Sequence, residues 1–229
     1  MRTFILVAAL TLTACDSRPP PKTLSEINQI VGIAEQAIGV VQKIGAGAST
    51  ADVKEAMQEM YAAIAAADGQ INEITQRIGG GKYLGRHSID PLDVSACTRS
   101  LAFGVQGLES QIMLPPLVNS AVECGINARI YYEDVSTSAG AAVALALGVI
   151  YPIVLVANVK AGVPAGPPLQ EYRSVNEIII ARLTPKCRER QQSRSAGGAQ
   201  VRYECAAYEV AMAVQPKLEA LGNQLPTTP

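Results

Sequence analysis

Apolar residues recur at intervals of three and four along most of this chain, the period of helices with one buried face. Leu24, Ile27, Val31, Ala34, Ile38 and Val41 form the first such seam. Thr23-Leu24-Ser25-Glu26 ahead of it has the spacing of a capping box, in which hydroxyl and carboxylate satisfy the free amides of a helix start. Gly45-Ala46-Gly47-Ala48 ends that helix. Ser49-Thr50-Ala51-Asp52 is a second capping box. Val53, Met57, Met60, Ile64, Ala67, Ile71, Ile74 and Ile78 then repeat the seam up to Gly79-Gly80-Gly81. The pattern predicts one helix of roughly 40 Å at ~1.5 Å per residue. Two matched seams around a short glycine turn imply an antiparallel helical hairpin over 24–78. The seams serve an intramolecular core, with an intermolecular coiled coil as the alternative.

A loop over 79–89 follows. Asp90-Pro91-Leu92-Asp93 reads as an N-cap, a first-turn proline and a favourable acidic third position. Val94, Cys97, Leu101, Val105, Leu108 and Ile112 share the face of the next helix, which Pro115-Pro116 breaks. A short helix ends at Gly125, and 126–133 reads as its continuation or as a strand, since Ile130-Tyr131-Tyr132 has strand character. Later, Leu169, Tyr172, Val175, Ile179 and Leu183 mark a helix closed by Pro185. A polar exposed loop is expected over 188–200. Val201, Cys205, Tyr208 and Met212 mark a last helix that meets Pro216 and ends near Gly222.

No charged residue occurs over 136–159, and 139–159 is long and apolar enough to cross a bilayer. Gly140, Ala144 and Gly148 give it a small-residue face suited to tight packing, and Pro152 kinks it. Three placements are open: a buried central helix, a true span, or a hairpin inserted at the membrane surface. Its alanine and glycine content favours the buried helix. The basic residues beyond Lys160 (Arg182, Lys186, Arg188, Arg190, Arg194) favour a span with that side in the cytoplasm. The fold class is thus mainly α: a multi-helix bundle with an N-terminal antiparallel hairpin and an apolar central helix. It forms one helical domain over 24–225, with the hairpin at 24–78 and the remainder at 90–222.

The extreme N-terminus carries a different signal. Arg2 precedes a short apolar run, Phe4 to Leu12, too short to span a membrane. Leu12-Thr13-Ala14-Cys15 then resembles the lipobox of bacterial lipoproteins. The resemblance covers the first sixteen or so residues only. It implies that 1–14 is a signal peptide removed by signal peptidase II. It also implies that the Cys15 thiol carries diacylglycerol and that the new amine is acylated. One acyl chain binds a membrane marginally, whereas two or more anchor it stably. Asp16, after the lipidated cysteine, resembles the signal that retains such proteins in the inner membrane; an outer-membrane location stays open. Pro19-Pro20-Pro21 makes 15–23 an extended tether.

Composition narrows the chemistry. The chain has 19 basic and 20 acidic residues, and removal of Arg2 with the signal leaves 18 basic. Nucleic-acid binding calls for a basic excess and is not expected. Aromatic residues make up only 4%, so the core must be built from Ala, Val, Ile and Leu. Beyond Cys15, the cysteines are Cys97, Cys124, Cys187 and Cys205, an even number that reads as two disulfides in an oxidising compartment. Three connectivities are possible. Cys187–Cys205 is favoured because it closes a polar loop between two helical segments, and Cys97–Cys124 then follows. A metal site is disfavoured, because there is no Cys-x-x-Cys and only one histidine, His87.

Catalytic motifs fail on spacing. Gly79 to Gly85 lacks the glycine five positions before its Gly-Lys pair, and Tyr83 stands where a phosphate loop has a hydroxyl residue of the Ser/Thr type. His87-Ser88-Ile89-Asp90 contains triad residue types, but sequence neighbours rarely converge, and capping explains Ser88 and Asp90. Glu133 and Asp134 point apart on a helix. Arg188, Glu189, Arg190 and Arg194 suit a solvated loop. The expectation is a non-enzymatic envelope lipoprotein that faces the periplasm, with no cofactor beyond the lipid on Cys15. Its partners would be the membrane, through that lipid, and another envelope protein. The alternatives are a membrane-inserting or exclusion protein that uses 139–159, and a periplasmic enzyme of unknown class.

Overall fold

The computed structural model describes residues 22–81, 89–134, 137–191, 200–201 and 203–225. Within them lie the helices α1 (Leu24–Gly45), α2 (Thr50–Ala66), α3 (Asp68–Gly79), α4 (Pro91–Gly104), α5 (Leu114–Asp134), α6 (Thr137–Lys160), α7 (Gly166–Gln191) and α8 (Tyr203–Gln224). A 3-10 turn, Val105–Glu109, separates α4 from α5. Two short strands, β1 (Lys22–Thr23) and β2 (Gln200–Val201), pair antiparallel, Lys22 with Val201 and Thr23 with Gln200. The protein is a mainly α bundle, as its periodicity indicates.

The helix starts follow the local chemistry. Thr23 and Glu26 form the reciprocal capping box of α1, with Thr23 N–H donating to Glu26 Oε2 at 2.6 Å. Ser49 and Asp52 do the same for α2. Asp90 caps α4, its Oδ1 accepting from Leu92 N–H at 2.8 Å, with Pro91 in the first turn. Gly47 takes the left-handed conformation, φ 65°, that lets the chain reverse between α1 and α2.

The expected long second helix is divided. At Ala67 the backbone turns to φ −90°, ψ 2°, and the Ala67 N–H is shared between the carbonyls of Ala63 and Ile64. Asp68 and Gly69, both poor helix formers, follow. The bend takes α3 away from α2 and packs it on α4 and α6. The hairpin therefore closes at Ala66 rather than continuing to Ile78, and Ile71, Ile74 and Ile78 face the bundle core.

Proline positions also differ from expectation. Pro115 and Pro116 lie in the first turn of α5, where a missing N–H is harmless, and the preceding break is the 3-10 turn. Ile112, expected on a buried face, therefore sits in the connection and is exposed. The segment 126–133 is helix, not strand. Pro185 does not close α7, which runs on through Cys187 to Gln191, so part of the expected 188–200 loop is helical. Pro216 lies inside α8. Buried residues flank each of these internal prolines: Leu183 and Cys187 about Pro185, Val214 and Leu218 about Pro216. Packing on both sides offsets the lost helix hydrogen bond. Val201 belongs to β2 rather than to the last helix, Met212 is solvent-facing, and Leu24 is half exposed.

Helix α6 is the axis of the bundle. It is the one helix among the described residues long and apolar enough to cross a bilayer, and 94% of its apolar window is buried. Helices α1, α3, α4, α5, α7 and α8 surround it. Gly148 allows a close approach: a Cβ there would lie 3.4 Å from both Ile30 Cγ2 and Val210 Cγ1. That shared contact sets α1, α6 and α8 side by side. At their last turns, Gln42 Nε2 donates to Gln224 Oε1 at 2.9 Å, and Val159 joins Val41 and Ile44 around one cavity. The three helices are therefore parallel. Helix α5 runs against them, with Tyr131 beside Gly81 and Ala139 near the start of α6 and Gly125 against Tyr151. Helix α7 also runs against them, its Asn176 donating to Ala211 O at 2.8 Å. The bundle thus has a near end, where Lys22 enters, and a far end, about 33 Å away along the 22 residues of α1.

Candidate functional site

The far end holds a cavity of about 1210 Å³, open to solvent. The last turns of α1, α6 and α8, the 161–165 turn and the first turns of α7 enclose it. Its walls are mainly apolar: Val41, Ile44, Val159, Val163, Leu169 and Leu225. Gly45 and Gly222 carry no side chain into it; a Cβ on Gly45 would lie 3.2 Å from Leu225 Cδ2. Gly162, at φ 86°, turns the chain from α6 toward α7 and sets Val163 on the rim. Gln170, Arg173, Ser174 and Glu177, all on α7, supply the polar side-chain groups. Arg173 Nε is buried and has no hydrogen-bond partner. Its Nη1 lies 3.5 Å from where a Cβ of Gly222 would stand. Glu177 is exposed and accepts from Gln215 Nε2 at 3.3 Å.

A second feature belongs to the same end. Helix α5 starts there, because it runs against α6 from Tyr131 near the base through Gly125 at mid-height. The connection before it presents Ile112 and Met113 to solvent at 85% and 56% exposure, and Phe103, in the last turn of α4, is 62% exposed. The corner keeps a defined shape. A Cβ on Gly107 would meet Met113 Cβ at 3.4 Å and Leu117 Cδ2 at 3.6 Å, and Ser110 N–H donates to Gly107 O at 3.1 Å. Isolated exposed apolar residues are ordinary, but two large ones side by side on one short connection stand out.

The structure pairs Cys97 with Cys124 and Cys187 with Cys205, joining α4 to α5 and α7 to α8. A smaller cleft of about 440 Å³ runs beside the first pair, with Asp93, Ser100, Glu123 and Asn127 in its lining. Among the described residues no group of His, Cys, Asp and Glu is arranged to hold a metal ion. Cys15, Asp16, His87, Ser88 and Arg194 lie outside the described residues.

Buried tyrosines are the most perturbed groups. Burial pushes the Tyr61, Tyr151 and Tyr172 hydroxyls well above the ordinary phenol value. Tyr131 and Tyr132 shift the same way, for the same reason. Tyr151 donates to Glu171 Oε1 at 3.0 Å and stacks on Tyr172 with ring centroids 5.7 Å apart. Tyr61, Tyr131, Tyr132 and Tyr172 have no hydroxyl partner. With no base within hydrogen-bond reach of those four, their role is to fill volume in a core short of large side chains.

Sequence reading missed two residues. Lys22 is 3% exposed; its ammonium donates to Gln70 Oε1 at 2.6 Å and to Glu73 Oε2. It looked like part of a solvated tether, and no local pattern marks it. Arg173 follows Tyr172 on α7, and no motif or spacing in the sequence marks it. Comparison with known proteins finds no matching family model, no matching curated protein and no matching solved structure.

Proposed function

We propose that the protein is a lipid-anchored module of the bacterial cell envelope that faces the periplasm and binds another envelope protein without catalysing a reaction. Leu12-Thr13-Ala14-Cys15 supports the anchor, and Asp16 favours the inner membrane. Two paired cysteine couples suit an oxidising compartment. The observation that carries the binding role is the opposition of the two ends. The chain enters the domain at Lys22, whereas the exposed Ile112 and Met113 precede α5 at the opposite end of the bundle, with Phe103 in the last turn of α4. Depleted charge and exposed large apolar residues mark the core of protein interfaces.

A photo-crosslinking residue at position 112 tests this in intact cells, with the same probe at Leu24 on the near end as control. A discrete protein adduct from position 112, abolished by Phe103→Glu, is expected. Equal or absent adducts from both positions would reject the binding role. Growth on radioactive palmitate tests the anchor separately: label is expected on the wild-type chain and absent from Cys15→Ser.

A further inference from the structure

We infer that the far-end cavity is a binding site for a single-chain amphiphile with a carboxylate head, the head on Arg173 and the chain along Val41, Ile44, Val159, Leu169 and Leu225. This goes beyond the interaction role proposed above and stands independently of the anchor.

Two observations converge on this ligand class. The first is volume and lining. About 1210 Å³ is ample for a small-molecule ligand, and the walls are mainly aliphatic. The second is the guanidinium. Arg173 is always charged, and its Nε is buried without an acceptor. A buried donor left unpaired is unfavourable, and a bidentate carboxylate is the acceptor that a guanidinium fork fits.

The surrounding charge decides what kind of anion is held. Glu177 sits on the rim, and three helices end at the cavity with their negative dipole ends toward it. Helix α7 begins there, but Pro167 and Pro168 remove amides from its first turn. Charge alone therefore does not hold a small anion at Arg173. The aliphatic walls must supply most of the affinity, and the guanidinium fixes the orientation of the head. The site is thus expected to reject short anions and to prefer a long chain with a charged end over one with a neutral end.

Calorimetric titration of the full chain carrying Cys15→Ser, in detergent-free buffer, tests the assignment, with dodecanoate kept below its micelle concentration. Saturable binding of one dodecanoate per chain is expected, with acetate not binding and dodecanol binding roughly tenfold more weakly. Arg173→Gln is expected to weaken dodecanoate about tenfold while leaving dodecanol unchanged, and Arg173→Lys to recover part of the loss. Val163→Asp, on the exposed rim turn and outside the core, should also weaken dodecanoate. Circular dichroism and the unfolding midpoint confirm that each variant is folded. Absence of saturable dodecanoate binding to the unsubstituted protein overturns the proposal. So does equal affinity for dodecanoate in the Arg173→Gln and Val163→Asp variants.

Discussion

The Lys22 ammonium reaches across 51 positions of sequence to the Glu73 carboxylate on α3. Gln70 Oε1 accepts from the same nitrogen, and Glu26 Oε1 lies 3.7 Å away. One buried cation thus ties the chain entering the domain to two helices that are not neighbours in sequence. Glu73 and Glu26 are only about 30% exposed, so solvent screens the cluster partially. Lys22→Met is expected to destabilise the fold by about 1–2 kcal/mol, because it leaves Glu73 and Gln70 short of a donor. The urea midpoint measures this, and Glu73→Gln in the Lys22→Met background should recover part of the loss.

Acid should loosen the same corner. The backbone amide of Thr23 holds the Glu26 carboxyl below its ordinary value, against an opposing effect of burial. A carboxylate whose value is lowered on folding stabilises the fold above its unfolded value. That contribution is lost as pH falls through the lowered folded value. Wild-type stability should therefore decline below about pH 4, and Glu26→Gln should show a shallower decline over that window. Thermal melts across pH 2–7 would compare the two slopes, and parallel slopes would exclude Glu26 as a contributor.

Gly148 offers a size-graded test of the bundle axis. A Cβ there makes ordinary contact with Ile30 and Val210 at 3.4 Å. Gly148→Ala should be close to neutral, since better helix propensity offsets the slight crowding. Gly148→Leu should cost about 1–3 kcal/mol by forcing α1 and α8 apart. The pair distinguishes a packed axis from a helix with room around it.

Gly81 and Tyr131 form a second close pair. A Cβ on Gly81 would lie 2.9 Å from the Tyr131 hydroxyl and 3.0 Å from Ile78 O. Gly81→Ala should destabilise by about 1–2 kcal/mol. Tyr131→Phe removes a hydroxyl that has no partner and should be nearly neutral alone. In combination it should recover part of the Gly81→Ala loss, giving a coupling measurable in a double-mutant cycle.

Each disulfide should also be worth a measurable amount. Cys187 and Cys205 are 18 positions apart and Cys97 and Cys124 are 27 apart. Replacing either pair by serines should lower stability by about 3 kcal/mol in the chain-entropy account. Because the pairs join different helices, the two losses should add, as read from denaturation midpoints.

Most helices, and the starts of α1, α2 and α4, were legible because their signals are local. Thr23, Ser49 and Asp90 announce their caps within three residues, and seams of Ile, Val and Met count out the period. The ends at Gly45 and Gly79 were legible for the same reason, but the ends expected at prolines were not, because tertiary packing decides them. Pro185 and Pro216 have the local chemistry of terminators, yet buried neighbours on either side carry the helices through. At Ala67 the seam continues without a gap, and the bend arises from where α3 must pack. The cavity was invisible for a different reason: its lining joins 41–45, 159–177 and 222–225, which no single window of sequence contains. The cysteine pairs lay between these cases. Their number and spacing left three pairings, and the preferred one is the pairing found.

The little sheet of β1 and β2 has a mechanical consequence. Its second strand lies inside the covalent ring closed by Cys187 and Cys205, four residues before Cys205. Tension arriving from the residues before Lys22 therefore loads the β1–β2 seam and the Lys22 cluster. Beyond the strand pair, the stitched base of α7 and α8 resists peeling. A pull on the N-terminus would be shared among α1, α3 and that cross-linked base before the far-end cavity felt any strain.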